Sequence, residues 1–350
     1  MTNETENDHY KQLGLYKASI LIWKIVPPIL ILLGTIGNSL SILVLTRRSI
    51  RVSSTALFLT VLACSDLLVL YSGLLRQWLI YLFDTDVRNL SEAGCKINVW
   101  LVYSSLDFSA WILIVLTLER VVSTWMPHRA RTLCTKKTAF AFIIAVGVFI
   151  LGINSHILYG IGYKITQDEN YYPIENKCIE IDRNYAYFFE NVWPWIDLCV
   201  YCAVPFVVIV IGNALILFKV LNSQKKSKST IASRLAKKSS MPAMLFTLNI
   251  VFLLSTLPVS IYTIGQAYWP KDLDDYKMAK LDFWWAVVNM LMYTNNSLNF
   301  LLYCLSGTKF RREVIRLLTW KKCFRLNHIN PAQRNYTSTR FDNQSRSSTA

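Results

Sequence analysis

The sequence predicts an all-α membrane protein, a bundle of seven transmembrane helices followed by a short amphipathic eighth helix. Three observations carry this. The composition is oily: 53% of the 350 residues are hydrophobic and 17% charged, with a mean hydropathy of +0.32, whereas a soluble surface needs roughly a quarter of charged residues. Apolar runs recur at 21–46, 55–82, 96–126, 138–162, 194–220, 241–268 and 283–306, each reaching the ~20 residues that carry a helix across hydrocarbon. The polar gaps between them alternate in charge without a break.

That alternation sets an expected orientation. The gap 47–54 holds Arg47, Arg48 and Arg51; 127–137 holds Arg129, Arg131, Lys136 and Lys137; 219–240 is basic from Lys219 to Lys238; none contains an acid. The segment from 307 onward is also strongly basic, whereas 1–20, 83–95, 163–193 and 269–282 each hold more acid than base. Positive gaps face the cytosol. The expected division is an extracellular tail 1–20, a bundle 21–306, an amphipathic helix 307–322 and a disordered cytoplasmic tail 323–350, in a multi-pass plasma-membrane protein. The net charge of +15 is then a difference between two faces and calls for no nucleic-acid partner.

Other classes fit less well. Strand-like alternation is absent, which argues against a membrane barrel. Aromatic residues at 13% argue against disorder over most of the length, and eight cysteines are too dilute for a disulfide scaffold. Four histidines, none in metal-ligand spacing, suggest no metal centre. No phosphate loop, nucleophile elbow or zinc helix points to an enzyme, and no internal repeat points to a transporter. Met1–Tyr10 is polar and acidic, so the first helix is expected to act as its own insertion signal. Asn3 and Asn89 begin glycosylation sequons.

An ionisable side chain inside a span is a functional candidate. Lys24 and Lys96 lie near helix ends and can snorkel. Asp66 lies mid-span, and its partners must come from other helices: Asn38, Ser109, Asn295 and Asn299. Such a cluster suits a monovalent cation or a shared proton. Glu119 and Arg120 close the third span at its basic end. Arg76 lies too deep for easy snorkelling; it either meets a ligand carboxylate or carbonyl through its planar fork, or pairs with Asp107 or Asp197. Those two acids either attract a basic ligand group or stay protonated among apolar neighbours. In 308–320, Phe310, Val314, Leu317 and Leu318 share a helical face opposite Arg311, Arg312 and Arg316, which suits a helix lying on an anionic membrane. Cys323 follows as a palmitoylation candidate.

These residues resemble the rhodopsin-like (class A) G-protein-coupled receptors over about 30–320. Gly37-Asn38 fits the first-helix motif and Leu62-Ala63-Cys64-Ser65-Asp66-Leu67 the second. Glu119-Arg120-Val121 is similar to the Asp-Arg-Tyr triplet. Pro205 and Pro258 match the fifth- and sixth-helix prolines, Phe252 the sixth-helix aromatic, and Asn299-Phe300-Leu301-Leu302-Tyr303 the Asn-Pro-x-x-Tyr motif without its proline. The Asn299-to-Arg312 stretch looks most like invertebrate neuropeptide receptors of the FMRFamide-receptor and thyrotropin-releasing-hormone-receptor-like branches.

The resemblance implies a Cys95–Cys178 disulfide and an activation switch built on Glu119, Arg120, Phe252, Thr256, Pro258, Asn299 and Tyr303. It implies an allosteric sodium ion at Asp66 and no other cofactor. It implies a ligand pocket formed by Arg76, Gln77, Val102, Asp107, Asp197, Tyr262, Gln266, Trp285 and Asn289, under a loop, about 163–193, that folds as a hairpin lid. The implied partners are an extracellular peptide, a heterotrimeric G-protein, a receptor kinase, arrestin and membrane lipids; a small odorant or lipid-like ligand is the alternative. Departures are Thr256 at the sixth-helix tryptophan, Asn213 at a fifth-helix tyrosine, Phe300 at the seventh-helix proline, and Lys238 near where some relatives keep an acid that locks Arg120.

Overall fold

A computed structural model of the chain describes residues 10–47, 51, 53–167, 173–226, 240–266, 268–270 and 273–327. Seven long helices form the bundle: α1 Gly14–Leu45, α2 Ser54–Phe83, α3 Glu92–Trp125, α4 Lys136–Gly160, α5 Arg183–Asn222, α6 Ser240–Gln266 and α7 Asp275–Ser306. An eighth, α8 Thr308–Asn327, follows at once. α1 to α5, and Thr247–Gln266 of α6, are long and apolar enough to cross a membrane. α7 matches them in length at 32 residues, but Asn289, Asn295, Asn296, Ser297 and Asn299 make it the most polar of the seven. Those side chains are buried, so the polarity faces the bundle.

The helices start where side chains satisfy free amides. Ser53 accepts from Ala56 N, Ser91 from Gly94 N, Thr135 from Thr138 N and Asp274 from Lys277 N. Prolines 27 and 28 in α1 and Pro258 in α6 sit inside unbroken helices, as membrane helices tolerate. π turns interrupt α2 at Leu70–Leu74 and α5 at Phe188–Val192 and Leu198–Ala203. The last precedes Pro205, whose missing N–H already loosens that turn. Trp111 Nε1 donates to the Val200 carbonyl there at 3.0 Å.

α3 is the hub, touching α2, α4, α5, α6 and the hairpin, while α7 closes the ring against α1, α2 and α6. α1 and α7 approach closely at Gly34 and Gly37, and α1 approaches α2 at the first of these: a Cβ on Gly34 would lie 2.3 Å from Leu70 Cδ1 on α2 and 3.2 Å from Ser297 Cα on α7, and one on Gly37 2.9 Å from Phe300 Cβ on α7. The burial pattern suits a bundle in lipid: Leu32, Phe140, Val148, Leu254 and Ile261 are exposed, whereas Asn38, Asp66, Asp107, Asn154 and Asn296 are buried.

The hairpin that the resemblance implied within the 163–193 loop is present beside the helices. β1 Ile161–Gln167 and β2 Pro173–Glu180 form an antiparallel hairpin, with Tyr163 opposite Cys178. A Cys95–Cys178 disulfide ties it to the start of α3, and Cys178 N donates to Asn89 Oδ1 at 3.0 Å.

Several expected boundaries move, among them the start of α7, at Asp275 rather than 283, where Asp274 caps the amide of Lys277. The helical chain enters α1 before residue 21 because the capping Leu13 is already extended and Gly14 begins the helix. α5 starts at Arg183 rather than 194, since Asp182 caps the amides of Asn184 and Tyr185. Tyr185, Tyr187, Phe188 and Phe189 are therefore helical, not loop. α8 runs to Asn327, past the expected end at 322. Its Phe310 is buried and Val314 and Leu317 pack on the core, while Arg311 and Arg312 are exposed. Asn3, Tyr171, Tyr172, Lys238 and the tail beyond 327 lie outside the described residues, as does the side chain of Cys323.

Closing a loop by a disulfide restricts the unfolded chain, and here the bridged residues are 83 apart. A Cys95→Ala/Cys178→Ala variant should lose about 2–5 kcal/mol of stability, read as a lower unfolding midpoint, with faster amide hydrogen exchange in β1 and β2. Unchanged exchange there would mean that the hairpin stands without the bridge.

Candidate functional site

At the disulfide end the helices part around a cavity of about 320 Å³. It widens into a vestibule of about 800 Å³ with which it shares Tyr103, Glu180, Phe189, Asp197, Thr263 and Gln266. Each space taken by itself is within the range of small-ligand sites. Of the expected lining residues, Arg76, Gln77, Val102, Asp197, Gln266, Trp285 and Asn289 face it.

Two expected residues do not. Asp107 points to α4, where its Oδ2 accepts from Asn154 Nδ2 at 2.8 Å. Tyr262 donates its hydroxyl to the Leu281 carbonyl at 3.0 Å and packs its ring on Trp269 and Trp285. Arg76 pairs with neither Asp107 nor Asp197. Its partner is Asp86, at 3.5 Å, in the turn after α2. Local sequence reasoning about the spans passed over that turn, and so also missed Arg88, which lines the cavity. Asn98, Tyr201 and Tyr293 were missed because each is one more polar or aromatic residue in a helix, and only packing shows which way it faces.

The cavity carries both signs of charge. Arg76 and Arg88 line it together with Asp197 on α5 and Glu180 on β2; the two acids also line the vestibule, and Arg76 and Arg88 do not. Trp193, below the vestibule, is buried against His156 and Tyr103, with ring centroids 4.1 and 6.1 Å away.

Midway down, Asp66 is wholly buried. Its Oδ1 accepts from Asn296 Nδ2 at 2.8 Å and Ser109 Oγ at 3.4 Å, and its Oδ2 from Asn299 Nδ2 at 2.6 Å. Asn38 joins through Nδ2 to the Asn296 carbonyl at 2.9 Å. Asn296 therefore takes the place expected of Asn295: adjacent residues point about 100° apart on a helix, and only one can meet Asp66. Asn38 Oδ1 and Asn296 Oδ1 are buried without a hydrogen-bond donor. An acid beside orphaned carbonyl-type oxygens is a hard, all-oxygen donor set, which suits a small cation.

At the basic end, Glu119 accepts from the hydroxyls of Ser54 and Thr55 and lies 3.6 Å from Arg120. Arg120 Nη2 also donates to Thr55, and its buried Nε has no acceptor. One turn deeper, Asn249 Nδ2 on α6 donates to Thr117 Oγ1 on α3 at 3.1 Å and to Asn213 Oδ1 on α5 at 3.3 Å. Phe252 packs edge-on to Tyr201, and Thr256 returns its hydroxyl to the Phe252 carbonyl of its own helix. Phe300 leaves α7 unbroken and, like Tyr303, packs edge-on to Phe310 of α8.

A seven-helix bundle with a disulfide-tied hairpin over one cavity and a Glu-Arg pair at the opposite end defines a membrane receptor. A sequence profile of the 7 transmembrane receptor (rhodopsin family) matches residues 37–303, and the chain belongs to that family. The resemblance to rhodopsin-like G-protein-coupled receptors, and among them to invertebrate neuropeptide receptors, is borne out. The chain is 25% identical to an FMRFamide receptor of Drosophila melanogaster, over 89% of this chain and 56% of that protein. It therefore spans little more than half of that relative. It is 26% identical to cysteinyl leukotriene receptor 1 of Sus scrofa, over 79% and 78%. It is 21% identical to an FMRFamide peptide receptor of Caenorhabditis elegans, over 89% and 71%.

Asp86 anchors one wall of the cavity. Burial pushes its carboxyl up, but hydrogen bonds from the Arg88 side chain and amide, with the charges of Arg88 and Arg76, outweigh this and hold it below its ordinary value. Its stabilisation is thus complete above the usual carboxylate range, roughly 4, and is lost only as pH falls through the lowered value. Asp86→Asn should lower the unfolding midpoint of purified receptor near neutral pH, and the deficit should shrink well below about pH 4. A deficit constant across that range would show that charge is not what Asp86 contributes.

Proposed function

We propose that this chain is a plasma-membrane receptor for an extracellular peptide that activates a heterotrimeric G-protein. The observation that carries the peptide reading is that one cavity presents two arginines, Arg76 and Arg88, and two acids, Asp197 and Glu180, among aromatic rings. A peptide offers both charges and apolar side chains, whereas a compact apolar ligand would leave the charged groups unmatched. The FMRFamide receptors among the relatives agree with this class.

In this reading the disulfide end faces outward, with the sequons at Asn3 and Asn89, and the basic end faces the cytosol. A sodium ion at Asp66 would be held by that carboxylate with the oxygens of Asn38 and Asn296, and would favour the resting packing of α7 by adding charge compensation at its centre. The G-protein reads the face around Arg120 once α6 moves away from α3. The arginines of α8 meet anionic lipid heads, at about 1 kcal/mol per charge near the surface. Cys323 is an acylation site, and the polar tail a substrate for a receptor kinase and a binding element for arrestin.

The Asn249 amide holds α6 to α3 and α5 in place of an acid that would lock Arg120. Each of its hydrogen bonds contributes about 1 kcal/mol, so Asn249→Ala should raise ligand-independent signalling several-fold at equal surface expression. Equal basal signalling would remove Asn249 from the resting state. The peptide reading is tested by a calcium-release screen of neuropeptides, amidated and free-acid, on cells expressing the chain with a promiscuous G-protein; silence across a broad library would sink it.

A further inference from the structure

Arg76 and Arg88 face the same cavity, from α2 and from the turn beyond it. Both are matched to one carboxylate. Asp86 Oδ2 lies 2.7 Å from Arg88 Nη2 and 3.5 Å from Arg76 Nη1. Arg88 holds the larger share: its Nε donates to the same oxygen at 2.9 Å, and its backbone amide to Asp86 Oδ1 at 3.0 Å. Arg76 is left with one long contact, and its Nε is buried with no acceptor. Among the described residues, Asp86 is the only carboxylate within ion-pair distance of either guanidinium. The cavity residues nearest in kind on α3 and α7 (Asn98, Tyr103, Asn289 and Tyr293) are neutral. Asp197 and Glu180 line the cavity but make no ion pair with either arginine.

Two guanidiniums and one carboxylate leave a net positive charge on this wall; Arg76 is the more enclosed, its side chain 12% exposed against 27% for Arg88, and an enclosed charge without a full partner is costly. Arginine's fork is shaped to take a carboxylate with two donors. We infer that the ligand carries a carboxylate that lodges between Arg76 and Arg88, in a cavity whose acids, Asp197 and Glu180, would take its cationic group. This rests on the cavity being the ligand site, and it sharpens the ligand class from peptide to peptide acid. The carboxylate comes from a free C-terminus or from an aspartate or glutamate side chain.

The probe is N-acetylphenylalanine against N-acetylphenylalaninamide, a pair differing only in the charge. Each is titrated into purified full-length receptor, and the unfolding midpoint is followed. The acid should raise the midpoint in the millimolar range and the amide should not. Arg76→Gln and Arg88→Gln should each weaken the acid's effect about tenfold, as loss of one charge-assisted hydrogen bond implies. Should Arg76→Gln fail to accumulate, Arg88→Gln at the more exposed edge carries the test. Equal shifts by acid and amide, no shift by the acid, or an acid effect untouched in these variants would each overturn the inference.

The source of the carboxylate is separated in cells with three matched peptide libraries: free C-terminus without acidic side chains, amidated with one aspartate or glutamate, and amidated without either. Responses confined to the first library assign the C-terminus, and to the second a side chain; responses led by the third overturn the inference. Silence from all three would sink the peptide reading while the acid-against-amide difference on purified receptor still decides this one.

Discussion

In hydrocarbon a polar side chain has no water to turn to, so it must find its partner inside the protein, and that constraint arranges this bundle. α7 is the most polar of the long helices, and its polar side chains are enclosed among α1, α2 and α6. Its asparagines meet Asp66 on one side, and the Asn38 amide meets its backbone on the other. Gly34 and Gly37 let α1 come near enough for that second contact. The outward faces have no such demand and carry leucine, isoleucine and phenylalanine.

The same constraint links the two ends of the molecule through α3. Tyr103 faces the cavity, Asp107 bonds to Asn154 on α4, Ser109 reaches Asp66 on α2, Thr117 meets Asn249 on α6, and Glu119 and Arg120 meet Ser54 and Thr55 at the start of α2. These contacts join α3 to three different helices. A small displacement of α3 or of its neighbours at the cavity must therefore change the partners of a buried polar group further down, where no solvent can compensate. Coupling here takes the form of a choice between hydrogen-bonded arrangements, not a gradual deformation.

Much of this was legible in the sequence because it depends on sums over many residues. Hydropathy over twenty residues, the sign of each gap and the ordered set of motifs marked the spans, their number and the Cys95–Cys178 bridge. What was not legible depends on angle. Asn295 and Asn296 are equally polar and adjacent, and only the rotation of α7 decides that Asn296 meets Asp66. Asp107 has the composition of a ligand contact but faces α4. The start of α5 was hidden because Tyr185 to Phe189 suit an aromatic loop as well as a helix, and the cap at Asp182 decided it. Arg88 lay in a short polar gap, where charge had already been explained by orientation.

The π turns bear on how such a cavity changes between relatives. Each holds one residue more than an α turn, and one residue is about 100° of rotation. Arg76 lies beyond the turn at Leu70–Leu74, and Asp197 lies between the two in α5. The half of each helix near the cavity is thus set at its own angle, independently of the half that meets Asp66 or Arg120. Removing a single codon within Leu70–Leu74 would swing Arg76 off the cavity wall and bring a neighbour into its place, with the inner half untouched. Relatives can exchange the whole lining of one wall by such a one-residue indexing step, and a column-by-column alignment across that gap would pair residues that never face the same ligand.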